Sequence, residues 1–174
     1  KTIERAEQLK QKGIRFVDAG VSGGPSGALN GASIMIGGEK DDFEYLEPLF
    51  RDLTVKQGYA FFEGHGAGHF VKMVHNGIEY GLMQAYAEGY ELLAAKDIVT
   101  DLPGTFRAWQ KGTVVRSWLL DLMVKALDED PGLESIDDYV EDSGEGRWTV
   151  EEAIANAVPA PAITAALFAR FSSR

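Results

Sequence analysis

Gly66-Ala67-Gly68-His69-Phe70-Val71-Lys72-Met73-Val74-His75-Asn76-Gly77-Ile78-Glu79-Tyr80-Gly81 marks the point where this 174-residue chain changes character. From residue 69 to 95 there is no proline, and good helix formers carry apolar residues at helical spacing. One long helix is expected there. Each helical residue advances about 100°, so Asn76 lies about 40° from Lys72, Glu79 about 20° away on the other side, and His75 about 60° away. A Lys, a His, an Asn and a Glu therefore share one face over two turns. A solvated polar face and a polar active face both fit this spacing. Gly77 and Gly81 each cost about 1 kcal/mol against Ala inside a helix, which points to close packing or binding there. A lysine held neutral can take a proton, and a carboxyl kept protonated can give one.

Upstream, the pattern is mixed. Residues 1–12 read as a helix with Ile3, Ala6 and Leu9 at helical spacing, closed by Gly13. Ile14 to Ala19 reads as a strand. A helix feeding a strand is the second half of a βαβ unit whose first strand is absent, so the chain reads as a fragment of something longer. Val21-Ser22-Gly23-Gly24-Pro25-Ser26-Gly27-Ala28 follows as a glycine-rich loop. Such a loop at the carboxyl end of a strand suits a carboxylate or phosphate, and it also suits a plain turn. Ala32–Ile36 reads as a short strand, 41–53 as a helix kinked or broken at Pro48, and Tyr59–Phe62 as another strand. The Gly64-His65-Gly66-Ala67-Gly68-His69 run has His69 in the third glycine position, so it is not a dinucleotide fingerprint. An anion could sit at this helix N-terminus.

Downstream, 105–110, 113–127, 136–140, 150–157 and 162–171 read as helices. The fold class expected is therefore an α/β remnant over residues 1–64, which the family resemblance of this chain makes the end of a Rossmann-like domain. An all-α helical domain with one long central helix follows over 65–174.

Charge separates along the chain. There are 27 acids against 17 Lys and Arg, for a net charge of −10. All of the excess lies between Asp128 and Glu152, where eleven acids face Arg147 alone. This reads as a solvated acidic face, with a metal or partner site as the alternative. The balance argues against nucleic acid and anionic membranes, which need clustered bases. There is no apolar run long enough to span a bilayer. The absence of cysteine excludes disulfides and thiolate chemistry. His65, His69 and His75 do not share one face, so no metal site is expected.

Asp18-Ala19-Gly20-Val21-Ser22-Gly23-Gly24, followed by Gly27-Ala28 and Gly37-Gly38, resembles the substrate-binding signature of β-hydroxyacid dehydrogenases. The run from Gly66 to Gly81 resembles the decarboxylating 6-phosphogluconate dehydrogenases almost residue for residue. Val114-Val115-Arg116-Ser117, Gly144-Glu145-Gly146-Arg147-Trp148-Thr149 and Phe168-Ala169-Arg170 are similar to the same family. The spacings are those of its short bacterial-type branch.

The resemblance implies oxidation of 6-phosphogluconate by NAD or NADP, loss of CO2, and protonation of the resulting enediol to give ribulose 5-phosphate. It implies that Lys72 is the general base, Glu79 the acid, and Asn76 a third catalytic residue. Ser22, Gly23 and Gly24 would bind the substrate carboxylate and hydroxyls, and His75 and Asn76 would hold hydroxyls near the reacting carbon. Tyr80 and Arg170 would contact the phosphate end, where a guanidinium fork suits the ligand. It further implies a cytoplasmic homo-oligomer, dimer or tetramer, and a nucleotide-binding region missing from this chain. Ser143 and Glu145 stand where long-chain members carry Lys and Thr. The alternatives are another β-hydroxyacid dehydrogenase acting on a small acid, and a non-catalytic dimerisation module.

Overall fold

A computed structural model describes residues 1–174, which divide into two compact units, Lys1–Asn76 and Gly77–Arg174. The first unit contains α1 (Thr2–Lys10), β1 (Val17–Ser22), α2 (Gly24–Asn30), β2 (Ala32–Gly38), α3 (Lys40–Leu53) and β3 (Thr54–Glu63), and then the start of α4 (Ala67–Ala94). The sheet order is β1-β2-β3. β1 and β2 are antiparallel, from Val17 opposite Gly38 to Ser22 opposite Ser33. β2 and β3 are parallel, with Ile34 beside Tyr59 and Ile36 beside Phe61.

Strand alternation gives this sheet two working faces. Ala32, Ile34 and Ile36 point to one side and are buried against Phe50, with Val17, Ala19, Phe43 and Leu46 packed around them. The rings of Phe43 and Phe61 stack with centroids 4.6 Å apart. Asp18, Gly20 and Ser22 point to the other side.

Several expected elements are displaced. β1 begins at Val17 rather than Ile14 and runs on through Ser22. The stretch expected as a glycine loop is in part a short helix: Gly23 has φ 134°, and Pro25 sits in the first turn of α2, where its missing N–H is not needed. α3 is continuous through Pro48. Pro48 and Glu44, whose carbonyl loses its partner, lie on the exposed side, where water can satisfy it. β3 is longer than expected and takes a register shift, with Gln57 at φ 61°.

The second unit contains the rest of α4, then α5 (Leu102–Trp109), α6 (Trp118–Glu129), α7 (Glu145–Ala155) and α8 (Pro161–Ser172). α4 is 28 residues long, as its periodicity requires. Phe106, Leu120, Val124 and Leu127 form one core with Tyr86, Tyr90 and Leu93. Tyr80, Ala166 and Leu167 form another with Val150 and Phe171. α6 starts five residues later than expected, because Ser117 caps it and accepts the Leu120 N–H at 3.1 Å. No helix forms at 136–140. There Asp130 takes the Ser135 N–H at 2.7 Å, and the Val140 N–H goes to Ser173 Oγ at 3.0 Å, so side chains claim these backbone groups. No helix is long and apolar enough to cross a membrane.

Candidate functional site

The geometry around Lys72 is set by β1. Asp18 is 2% exposed, and its carboxylate accepts the Gly66 N–H at 2.5 Å and the His69 N–H at 2.8 Å. These belong to the entry and first turn of α4, where amides have no partner within the helix. The anion at this helix N-terminus is thus the protein's own. Two residues along β1, a methyl added at Gly20 would overlap Lys72 Cβ. Two further on, the Ser22 hydroxyl lies 3.4 Å from His75 Nε2. The first turns of α4 therefore run along β1 in the same direction. At Gly68 a Cβ would lie 2.6 Å from the Gly37 nitrogen, so helix and sheet touch there.

Lys72, His75 and Asn76 meet on this face and are half-buried. Lys72 Nζ donates to Asn76 Oδ1 and lies 3.4 Å from His75 Nδ1, which is 3.0 Å from Asn76 Oδ1. These three side chains are therefore hydrogen-bonded to one another and only partly open to solvent. Ser22, His75, Asn76 and Lys72 form one connected chain of donors and acceptors at the carboxyl end of β1. Such a cluster can hold the hydroxyls of a small polyol and take a proton from one of them. Gly23 and Gly24 follow Ser22 directly, with φ 134° and 55°.

Glu79 is also half-buried, one turn along α4 from Asn76. Gly77 is required by packing, since its Cβ would lie 2.7 Å from Thr149 Cγ2. Gly81 is different, because a Cβ there meets open space. Tyr80 is 4% exposed, and its hydroxyl lies 3.0 Å from Ser143 Oγ and accepts the Ser143 N–H at 3.1 Å. The Arg170 guanidinium carbon sits 3.5 Å from the Tyr80 ring centroid, and Nη1 donates to the Glu141 carbonyl at 2.7 Å. Tyr80 and Arg170 are thus in direct contact.

Arg147 is committed to Asp142, with Nη2 2.5 Å and Nε 3.2 Å from the carboxylate. Asp142 also accepts the Gly144 N–H at 2.9 Å, and its side chain is 2% exposed. Burial pushes this carboxyl up, but Arg147 and the Gly144 amide outweigh it and leave it below its ordinary range. At this residue the acidic stretch is not a solvated face.

The three histidines have different surroundings. His65 Nδ1 is buried without a hydrogen-bond partner and its ring lies against Phe16, His69 Nδ1 is 3.0 Å from Thr2 Oγ1, and His75 faces Ser22. A cleft of about 540 Å³ lies beside His65 between Lys10, Phe16 and Asp42, away from the Lys72 cluster.

Sequence reasoning missed Asp18 as a structural anchor. The signal was present: an acid inside the apolar strand Phe16-Val17-Asp18-Ala19 needs a partner. It also missed Asp142, two residues before a glycine that opens a helix.

Residues 68–174 match the family described as 6-phosphogluconate dehydrogenase, C-terminal domain. Residues 1–60 match the NAD binding domain of 6-phosphogluconate dehydrogenase. An NAD(+)-dependent, decarboxylating 6-phosphogluconate dehydrogenase of Haloferax volcanii is 43% identical over 175 residues, covering 99% of this chain and 58% of its own length. A Plasmodium falciparum 6-phosphogluconate dehydrogenase, solved apo, with its cofactor NADP+ and with its substrate 6-phosphogluconate, superimposes with a TM-score of 0.88 at 31% identity. That match covers 99% of this chain and 39% of the other. A 3-hydroxyisobutyrate dehydrogenase of Salmonella typhimurium shares the fold, with a TM-score of 0.79 at 22% identity over 98% of this chain and 59% of its own. The chain thus spans less than three-fifths of the length of these relatives. On both family matches, the chain belongs to the 6-phosphogluconate dehydrogenase family.

Proposed function

We propose that this chain is the substrate-handling part of an enzyme that oxidises and decarboxylates 6-phosphogluconate to ribulose 5-phosphate. The observation that carries the reading is the Ser22–His75–Asn76–Lys72 cluster at the carboxyl end of β1. Lys72 Nζ takes the C3 hydroxyl proton as the C3 hydride leaves for NAD+ or NADP+. The 3-keto acid then loses CO2, and the electron pair of the broken bond becomes the enediol. Glu79 protonates that enediol at the former C2, which becomes C1 of ribulose 5-phosphate. Ser22, Gly23 and Gly24 bind the carboxylate end, His75 and Asn76 hold hydroxyls, and Tyr80 and Arg170 receive the phosphate.

The nicotinamide cofactor, when bound, accepts the hydride. Asp18 already occupies the Gly66 and His69 amides, so this helix entry is not open to a nucleotide phosphate, and no GxGxxG is present. In this reading residues 1–64 are the end of the nucleotide-binding domain and 65–174 the substrate and dimerisation domain of a cytoplasmic homo-oligomer.

The test is reduction of NAD+ or NADP+ by the full-length enzyme with 6-phosphogluconate, with CO2 and ribulose 5-phosphate measured in equal amounts. Cofactor reduction without CO2 would remove the decarboxylation. One observation favours a second reading, a β-hydroxy acid without a phosphate. Glu145 Oε2 is buried without a hydrogen-bond partner, next to Gly146, which packs on Tyr80. A carboxylate there repels a phosphate. Greater kcat/KM for 3-hydroxyisobutyrate than for 6-phosphogluconate would establish that reading.

A further inference from the structure

We infer that Asp18 is a positioning residue for Lys72, an inference that rests on the general-base reading above. A carboxylate buried to 2% exposure needs compensation, and Asp18 finds it in two backbone amides of one helix entry, Gly66 and His69. Each oxygen has its own donor, so the side chain fixes the first turn of α4 both along its axis and about it. The positive end of the helix dipole favours the same charge.

Lys72 comes one turn after His69, and its Cβ lies against Gly20, two residues along the strand from Asp18. Helix and strand are stiff over this distance, so a shift of the first turn passes to Lys72 Nζ. Misplacing a proton acceptor by about 1 Å can cost on the order of a hundredfold in rate. An amide at position 18 keeps the shape but offers one acceptor oxygen and turns its NH2 toward a donor. Asp18 touches neither Lys72 Nζ nor any group placed at the substrate, so its effect passes through α4.

The experiment uses the full-length enzyme with Asp18→Asn and Asp18→Ala. It compares melting temperature, amide exchange over residues 66–76, kcat, KM, and the deuterium isotope effect on kcat with 6-phosphogluconate labelled at C3. The expected result for folded Asp18→Asn is a tenfold or greater fall in kcat and a KM within threefold of wild type. Amide exchange at Gly66 and His69 should be faster and the isotope effect larger, since the oxidation step becomes slower. A purely structural loss of folded enzyme would move neither the isotope effect nor kcat per cofactor-binding site. A folded Asp18→Asn enzyme with kcat within twofold of wild type overturns the proposal, as does a loss of activity with an unchanged isotope effect. Failure of both variants to fold also overturns it, by placing Asp18 in folding alone. A wild-type enzyme inactive on 6-phosphogluconate is the separate failure of the functional reading, and amide exchange still reports whether Asp18 clamps α4.

Discussion

Gly20 and Lys72 are in such close contact that a single methyl group at Gly20 would occupy the space of the lysine's Cβ. Neither the strand backbone nor a helix Cβ can give way as a flexible side-chain end can. Gly20→Ala should therefore destabilise the first unit by about 1–3 kcal/mol, the usual cost of overpacking. It should also lower kcat by pushing α4 off β1. Thermal denaturation with steady-state kinetics checks both.

Lys72→Met should abolish hydride transfer while leaving the fold, because methionine keeps the aliphatic stem beside Gly20. Glu79→Gln should keep oxidation but slow release of ribulose 5-phosphate by roughly 10²–10⁴-fold, the usual range for a general acid. Single-turnover measurement of reduced cofactor and of product separates the two steps. Rapid turnover in Lys72→Met would remove its role.

Arg170 stacks on Tyr80 and leans on the Glu141 carbonyl, so its guanidinium plane is held in one orientation. Lysine cannot reproduce a planar fork or the stack. Arg170→Lys should raise KM for 6-phosphogluconate about tenfold, with a smaller change in kcat. For a substrate lacking the phosphate, the two enzymes should differ little.

Asp142 gives a pH dependence whose sign is fixed. Its folded carboxyl lies below the ordinary range, so its contribution to stability is complete above the unfolded value, about 4. That contribution disappears as pH falls through the lower folded value. Asp142→Asn should lower the melting temperature at pH 7, and the gap from wild type should close toward pH 2. A gap that widened on acidification would contradict the assignment.

Much of the fold was legible from periodicity. The long helix was visible because 69–95 keeps one period without a breaker, and the α/β segment because its strands are short and apolar. Boundaries failed where side chains or exposed turns decide them. Ser117 caps α6 and delays its start, the Asp130 and Ser173 side chains take backbone groups near 136–140, and Pro48 is harmless because its orphaned carbonyl faces water.

The candidate site was legible to the extent that helical spacing determines it. Lys72, His75 and Asn76 could be placed on one face by arithmetic, and the structure joins them by hydrogen bonds. What spacing could not supply was the partner surface. That Asp18, Gly20 and Ser22 lie against this helix is a matter of tertiary register, and no local pattern encodes it.

That register has a consequence for how the segment can vary. Asp18 to Ser22 spans about 13 Å of strand, and the helix from its first turn to His75 rises by about 11 Å. The two elements stay in step because two strand residues nearly equal one helical turn. Exchanges at Val17 or Ala19, on the opposite face, leave this alignment alone. A one-residue insertion or deletion in β1 turns every contact to the wrong side, and one in α4 rotates Lys72 away by about 100°. The segment can therefore change its composition at Val17 and Ala19 but not its length.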